Sequence, residues 1–350
     1  MKKILVLMLA GIGDSLLVTP FLRGLRQHFP GAQITTLVIY KQVEEMLKRN
    51  SDVDTVLHFN FLNQGYLKSL REVYRLRRER FDISFLAYPS NRFRPGLIHF
   101  LIGAKERYGH LYDIKRLRSL SFLDTKALPL DENRHTIDEN LQLLTLLGLD
   151  VRSLPKNLIF PVTKQEEAFA DHFLKKHQLT KKHPLIGIHA GSSELAGMMH
   201  KRWPKERFAE LANRLVEKHK ATILLFGGEN EHGLKQELAS LMDEQPVFVD
   251  DTTFFETAAL IKKCDAFVTN DTGLHHLASH FNVPSVVVTG HLNPAKTKPL
   301  HAKSAVVSAP VNCHPYRIGE DMICHYAGTS RYCLNTISVD EVYRAVEKLL

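Results

Sequence analysis

Residues 3–39, KILVLMLAGIGDSLLVTPFLRGLRQHFPGAQITTLVI, decide the fold. Ile4–Leu9 is a continuous apolar run, the pattern of a strand buried on both faces. A short Gly-Ile-Gly loop follows, and Ser15–His28 then reads as a helix stopped by Pro30-Gly31. Ile34–Ile39 is a second apolar strand. Strand, glycine loop, helix and strand make the opening unit of a parallel sheet with helices packed on it.

The same alternation continues outward. Lys41–Arg49 and Leu67–Arg80 are predicted helices, with strands at Thr55–Phe59 and Ile83–Ala87. Residues 151–184 hold Pro155, Pro161 and Pro184 around a charged helix, Lys164–Gln178, and read as a connection. The pattern then restarts with strands at Leu185–His189, Thr222–Phe226, Val247–Val249, Ala266–Thr269 and Ser285–Val288. Helices fall between them at Lys205–His219, Glu231–Met242, Phe254–Lys262 and Leu274–Phe281. The expected fold is α/β: two Rossmann-like doubly wound domains, 1–160 and 184–350, joined through 161–183 and facing a central cleft. The last helix, 339–350, is expected to pack back on the first domain. The 350-residue length suits two domains.

Composition is that of an ordinary globular protein, with 44% hydrophobic and 24% charged residues. Disordered, collagen-like and disulfide-scaffold classes are thereby excluded. The net charge of +8 is uneven. Residues 1–160 hold 24 Lys/Arg against 16 Asp/Glu, whereas 161–350 hold 22 of each. The surplus lies in residues 68–118, with 13 bases and five acids. Such a stretch suits an anionic partner or an anionic membrane. Nothing approaches the run of about 20 apolar residues that spans a bilayer. The opening MKKILVLMLA lacks a small-residue cleavage site before Gly11, Gly13 and Asp14, so a buried strand is expected rather than a signal peptide. With only four cysteines, a cytoplasmic protein is expected.

Ligands of doubly wound sheets bind at the carboxyl ends of strands, which selects four loops. Ala10–Ser15 resembles the start of a dinucleotide fingerprint, but Leu16 stands where a third glycine belongs, and no acid follows the second strand. A nicotinamide enzyme is therefore disfavoured. Asp14 at the helix start reads either as a helix cap or as a general base. His189-Ala190-Gly191-Ser192-Ser193 offers hydroxyl and amide donors to phosphate, or an ordinary turn. Lys201 in Lys201-Arg202-Trp203-Pro204 is a cation for a departing phosphate, or half of a solvated basic pair. Glu229, after Gly227-Gly228, is placed to accept from a ribose diol, or to cap a helix. Asn270-Asp271-Thr272-Gly273-Leu274-His275-His276 joins a strand to a helix, whose first amides form an anion site that His276 can reach. The bland alternative there is a helix capped by Asp271.

Metal chemistry has little support. Asp52-Val53-Asp54 is a pair that can hold a divalent cation, but it leads into a strand; Cys313, Cys324 and Cys333 read as packed thiols or, with His314 or His325 as a fourth ligand, as a metal site, though their spacings match no zinc pattern. No metal and no cofactor are expected.

The residues resemble glycosyltransferase family 9, the ADP-heptose:lipopolysaccharide heptosyltransferases. The resemblance rests on KILVL…GIGDSLLVTP at 3–20, HTIDENLQLL…LG at 135–148, KRWP at 201–204, GGE at 227–229 and DTGLHHLA at 271–278. It implies two domains of the GT-B type, a donor nucleotide held mainly by the second, and an inverting, metal-independent transfer. It further implies that Asp14 is the general base and that Lys201 steadies the diphosphate. Ser192 and Ser193 would contact phosphate, Glu229 ribose, and Asp271, Thr272, Gly273 and His276 the donor. The family's C-x-P-C is absent, since Tyr316 follows Cys313-His314-Pro315, and the stretch 194–200 is longer than in some members.

The expected partners are an ADP-sugar donor and an anionic glycolipid acceptor of the lipid A–Kdo type. Gly11, Gly13, Arg92 and Arg94 are placed on the acceptor side. Peripheral contact with the cytoplasmic face of the inner membrane is expected, and nucleic acid is not. The rivals are a transferase of another nucleotide sugar or acceptor, and a non-catalytic nucleotide- or nucleic-acid-binding protein.

Overall fold

The structure is a computed structural model and describes residues 1–112, 119–179, 183–193, 199, 201–290, 293–300, 303–310 and 332–350. The chain divides into two compact units, Met1–Pro161 and Val162–Leu350. In the first, strands β1 (Lys3–Met8), β2 (Gln33–Val38), β3 (Thr55–His58), β4 (Ile83–Leu86), β5 (Glu106–Leu111) and β6 (Lys126–Pro129) alternate with helices. These are α1 (Ile12–His28), α2 (Lys41–Lys48), α3 (Tyr66–Arg78), α4 (Phe93–Ile102) and α5 (Thr136–Gln142). The second unit begins with α6 (Lys164–Lys176). Its strands are β7 (Leu185–His189), β8 (Thr222–Leu225), β9 (Val247–Phe248), β10 (Ala266–Asn270), β11 (Ser285–Thr289) and β12 (Ser304–Ser308). Its further helices are α7 (Lys205–His219), α8 (His232–Ala239), α9 (Phe254–Ile261), α10 (Gly273–His280), α11 (Pro294–Thr297), α12 (Tyr332–Asn335) and α13 (Val339–Glu347).

Among the described residues each unit holds one six-stranded parallel sheet, ordered β3-β2-β1-β4-β5-β6 and β12-β11-β10-β7-β8-β9. Both are doubly wound. The chain leaves its first strand in one direction and then crosses to the other side, which creates a switch point between β1 and β4, and another between β7 and β10. Central strands are buried on both faces, which is why their sequences are apolar without alternation. Within β1, Leu5 and Leu7 join a cluster with Val73, Leu76, Ile98 and Ile102 from α3 and α4. The opposite face receives α1, whose Phe21 meets Phe85 edge-on at 5.1 Å. Each such buried side chain contributes about 1.5–3 kcal/mol.

Two expectations need revision. Helix α1 starts at Ile12 rather than Ser15, because Gly11 takes the cap position and the second glycine falls inside the first turn. The segment from 161 is not a bare connection. Helix α6 belongs to the second unit, with a Thr163–Glu166 capping box and ion pairs from Lys262 to Glu167 (2.6 Å) and from Lys263 to Asp171 (2.5 Å). The final helix spends its apolar stripe in its own unit. Val339, Val342 and Val346 are buried with Leu211, Leu215 and Val286.

Gly187, midway along β7, tests the packing. A Cβ there would sit 2.5 Å from the Phe267 ring and 2.9 Å from Phe226, two rings that meet edge-on at 5.3 Å. Gly187→Ala is expected to lose about 1–3 kcal/mol by overpacking. Urea unfolding would show this as a lower midpoint with unchanged slope.

Candidate functional site

In the second unit the loops after β7, β8 and β10 lie side by side, because those three strands are neighbours in the sheet. Asn270, the last residue of β10, ties them together. Its amide nitrogen donates to the carbonyls of Ala190 (2.9 Å) and Gly191 (3.2 Å), and its Oδ1 accepts from the Trp203 backbone N–H (2.9 Å). Trp203 is buried and its indole donates to the Ile337 carbonyl at 3.1 Å. The sole tryptophan is therefore an anchor for the Lys201–Pro204 loop.

Arg202 is buried as well, so the solvated-pair reading of Lys201 and Arg202 does not hold. Its Nε donates to Ser192 Oγ (3.1 Å) and its Nη2 to the Ser192 carbonyl (2.6 Å). Ser192 is thus pinned and Ser193, next to it, is exposed. Lys201 is half-buried, and its charge lies within electrostatic reach of His275 on α10.

Thr272 is the cap residue of α10, and Gly273 begins the helix. The amides of that first turn have no partner within the helix and carry the positive end of its dipole. The Thr272 hydroxyl does not cap. It shares hydrogen bonds with His189 Nδ1 (3.2 Å) and Thr269 Oγ1 (3.4 Å). Asp271 does not occupy the cap position either. It is buried and accepts from the Thr297 hydroxyl at 2.9 Å, which holds α11 against α10. The buried His275 ring shares a hydrogen bond with the Thr297 carbonyl through Nε2 (2.9 Å) and stacks 3.7 Å from His276. Burial holds the His275 ring below the usual histidine range despite nearby Asp271.

Two acids follow the Gly-Gly turn at the end of β8. Glu229 is exposed at the start of a short turn, whereas Glu231 reaches inward. Its Oε2 accepts from the Gly228 N–H (2.9 Å) and lies 3.1 Å from His189 Nε2, while Oε1 is 3.8 Å from the Arg202 guanidinium. Burial opposes its charge, but His189, the Gly228 amide and Arg202 outweigh that and hold its carboxyl below the usual range. A Cβ at 191 would lie 1.8 Å from Glu231 Oε1, so any larger residue there would push this carboxylate aside. Two acids within three residues of a Gly-Gly turn look alike in sequence. The tertiary position of His189 distinguishes them.

In the first unit the loops after β1, β2 and β4 meet around Asp14. Gly11 caps α1 with an extended backbone, and a Cβ there would meet nothing within 4 Å. Gly13 and Asp14 follow in the half-buried first turn, so Asp14 is not the cap residue. Burial raises the Tyr40 phenol; Arg92 lowers it and Asp14 raises it, which puts Asp14, Tyr40 and Arg92 in one neighbourhood. The Asp14 charge also reaches Tyr88, whose phenol is pushed up chiefly by burial. Asn140 clamps Tyr88: its Oδ1 accepts from the Tyr88 N–H (2.8 Å), and its Nδ2 donates to the Tyr88 carbonyl (3.3 Å). This gives the HTIDEN stretch a structural role. Tyr40 and Tyr88 were not anticipated, and an aromatic residue just past a strand end was the available signal. Arg94 is exposed on α4.

Two further polar groups resemble sites. Ser84 Oγ, His99 and Asp124 form a relay with contacts of 2.8 and 2.9 Å, but Ser84 and His99 are 0% exposed, so the relay knits the unit together. Asp54 accepts from the Ile34 N–H (2.7 Å) and from Arg26 (2.5 Å) at the amino end of the sheet, away from the switch point. Among the described residues no group of three or more His, Cys, Asp or Glu is arranged to hold a metal ion. Cys313, Cys324, His314 and His325 lie outside the described residues; Cys333 is buried.

The family model for glycosyltransferase family 9 (heptosyltransferase) matches residues 70–326. Lipopolysaccharide heptosyltransferase 2 of Escherichia coli (strain K12) is 28% identical over 330 residues, covering 91% of each chain. A family 9 glycosyl transferase structure from Veillonella parvula is 25% identical, with TM-score 0.76, over 99% of this chain and 97% of that one. The fold is also that of the E. coli ADP-heptose lps heptosyltransferase II structure (23% identical, TM-score 0.72, covering 100% and 98%). Doubly wound units with ligand loops at their switch points are the architecture shared with these glycosyltransferase structures. The chain belongs to glycosyltransferase family 9 (heptosyltransferase) and is a glycosyltransferase enzyme.

Glu231→Gln is expected to weaken nucleotide binding about tenfold or more, as an anchored carboxylate loses its charge, while Glu229→Gln changes it little. Calorimetric titration with ADP reads both. Glu231 also links to pH. Its folded value is depressed, so its stabilisation is complete above the unfolded value of about 4.3 and is lost as pH falls through the folded value. The melting-temperature difference between the native protein and Glu231→Gln should therefore shrink below about pH 4.

Proposed function

We propose that the enzyme transfers a heptose from ADP-heptose to the inner core of lipopolysaccharide, or to a closely related anionic glycolipid. The observation that carries this is the convergence at one switch point of Lys201, the α10 N-terminus, Ser192 and an anchored acid, Glu231. A diphosphate and its ribose call for that set: cation, amides and hydroxyls for the phosphates, and a carboxylate for the diol. The names of the E. coli relative and structure supply the sugar and acceptor in this reading. The protein is read as working at the cytoplasmic face of the inner membrane.

In this reading the second unit holds the donor and the first the acceptor. The acceptor hydroxyl oxygen attacks the anomeric carbon opposite the diphosphate, and Asp14 takes its proton. The carbon–oxygen bond to the diphosphate breaks, and the leaving group departs with the electron pair. Its growing charge meets Lys201, the Thr272–Leu274 amides, Ser192 and Ser193. Attack from the far face inverts the configuration, and no metal is needed. Asp271 and His275 act behind α10, holding its first turn in place, while His276 lies beside the donor.

Asp14→Asn is expected to lower kcat by about 10²–10⁴ with donor binding intact. Lys201→Ala should lower kcat at saturating donor by about 10²-fold or more. Transfer from ADP-heptose to a heptose-free core acceptor, followed by mass spectrometry, checks both. Near-native turnover by Asp14→Asn would remove it as the base.

A further inference from the structure

Helix α3 carries more apolar surface than the fold uses. Only Val73 and Leu76 are buried. Tyr66, Leu67, Leu70 and Tyr74 are 79%, 84%, 56% and 63% exposed. At 3.6 residues per turn these four form one strip about 100° wide, directly beside the buried face. On the far side of that strip come Arg78, Arg71, Arg75 and Lys68, all exposed. Arg77 also falls within this strip but turns toward α4 and donates to the Leu101 carbonyl at 2.9 Å, so the order around the helix is sheet-facing, apolar and exposed, then basic. Residues 66–78 hold five bases and one acid.

We propose that this face of α3 docks the protein on an anionic lipid surface, with the tyrosines and leucines at the headgroup boundary and the basic strip on the phosphates. Charge complementarity selects this occupant. A second copy of the chain would bring two basic strips together as water is excluded, and like charges in such a setting repel strongly. A nucleic acid would engage the arginines but gains nothing from two exposed leucines. A bilayer carrying anionic lipid satisfies both strips at once, since apolar burial and attraction of bases to the surface add. Tyrosine suits that depth because its ring is apolar and its hydroxyl stays wet. The proposal deepens the glycolipid-acceptor reading by naming the surface that meets the acceptor's membrane. It concerns residues that take no part in the chemistry.

The test is co-sedimentation of the full-length protein with vesicles of phosphatidylcholine alone and of phosphatidylcholine mixed with phosphatidylglycerol, at low and high salt. Binding is expected to the mixed vesicles and to fall with salt. The triple variant Leu67→Ser/Leu70→Ser/Tyr74→Ser should lower the partition coefficient at least about tenfold. Arg71→Gln/Arg78→Gln should lower it about fivefold per base removed. All five positions are exposed, and matching unfolding curves confirm that the variants fold. No binding by the native protein, equal binding by the triple variant, or equal binding to both vesicle types would overturn the proposal. So would a concentration-dependent dimer that only the triple variant loses. The vesicles contain no sugar substrate, so failed heptosyl transfer with intact sedimentation counts against the function alone. Transfer to a soluble core acceptor with no sedimentation counts against the docking face alone.

Discussion

The loops after β7 and β10 in the second unit depend on one buried amide. Asn270 sits where β10 ends, and its side chain holds the chain after β7 and the backbone at Trp203 in the same few ångströms. Those groups are buried, so leaving any of them unpaired costs about 1–3 kcal/mol. Trp203 carries the constraint on to Ile337, and Arg202 carries it to Ser192. Lys201 is therefore delivered from a loop with little freedom of its own. The Gly191–Glu231 contact works alongside, because the absence of a Cβ lets the carboxylate close against the loop and reach His189. Catalysis by fixed charge requires that the charges be in place before the reaction begins.

The first unit uses the same device. Asn140, one helix away, grips the Tyr88 backbone through both its N–H and its carbonyl, and so fixes the loop after β4 beside Asp14. The charge asymmetry of the sequence fits this division. The neutral second half brings together the first amides of α10, Lys201 and the Ser192 hydroxyl pinned by Arg202. The basic first half carries its surplus on the surface, much of it on α3.

Much of the fold was legible because its central strands are buried on both faces, leaving runs such as Ile4–Met8 with no polar interruption. The missed strands lie toward sheet edges. β5, ERYGHL, mixes charge, glycine and histidine, and β6 ends in proline; half-covered strands need no apolar run. Helix α4 opens on Phe93-Arg94-Pro95-Gly96 and lacks a helical signature. Helix α6 looked like a connection because its exposed face is densely charged, yet Ala170 and Phe173 are buried. Loop positions followed from strand ends, which is what singled out Asp14, Ser192, Lys201 and residues 271–276 as candidates. Which side chains face inward did not follow. Arg202 and Glu231 are chosen by partners far away in sequence, and Asp271 supports the helix from behind where a cap was one reading.

In the proposed reading, the Asn270-tied loops form an adenine-nucleotide diphosphate site. Calorimetric titration of the native protein and of Asn270→Ala with ADP, UDP and GDP tests it most directly. The native protein is expected to bind ADP in preference to UDP and GDP. Asn270→Ala, still folded by circular dichroism, is expected to bind ADP at least about tenfold more weakly. Equal binding of UDP or GDP, or unchanged ADP affinity in a folded Asn270→Ala protein, would contradict it.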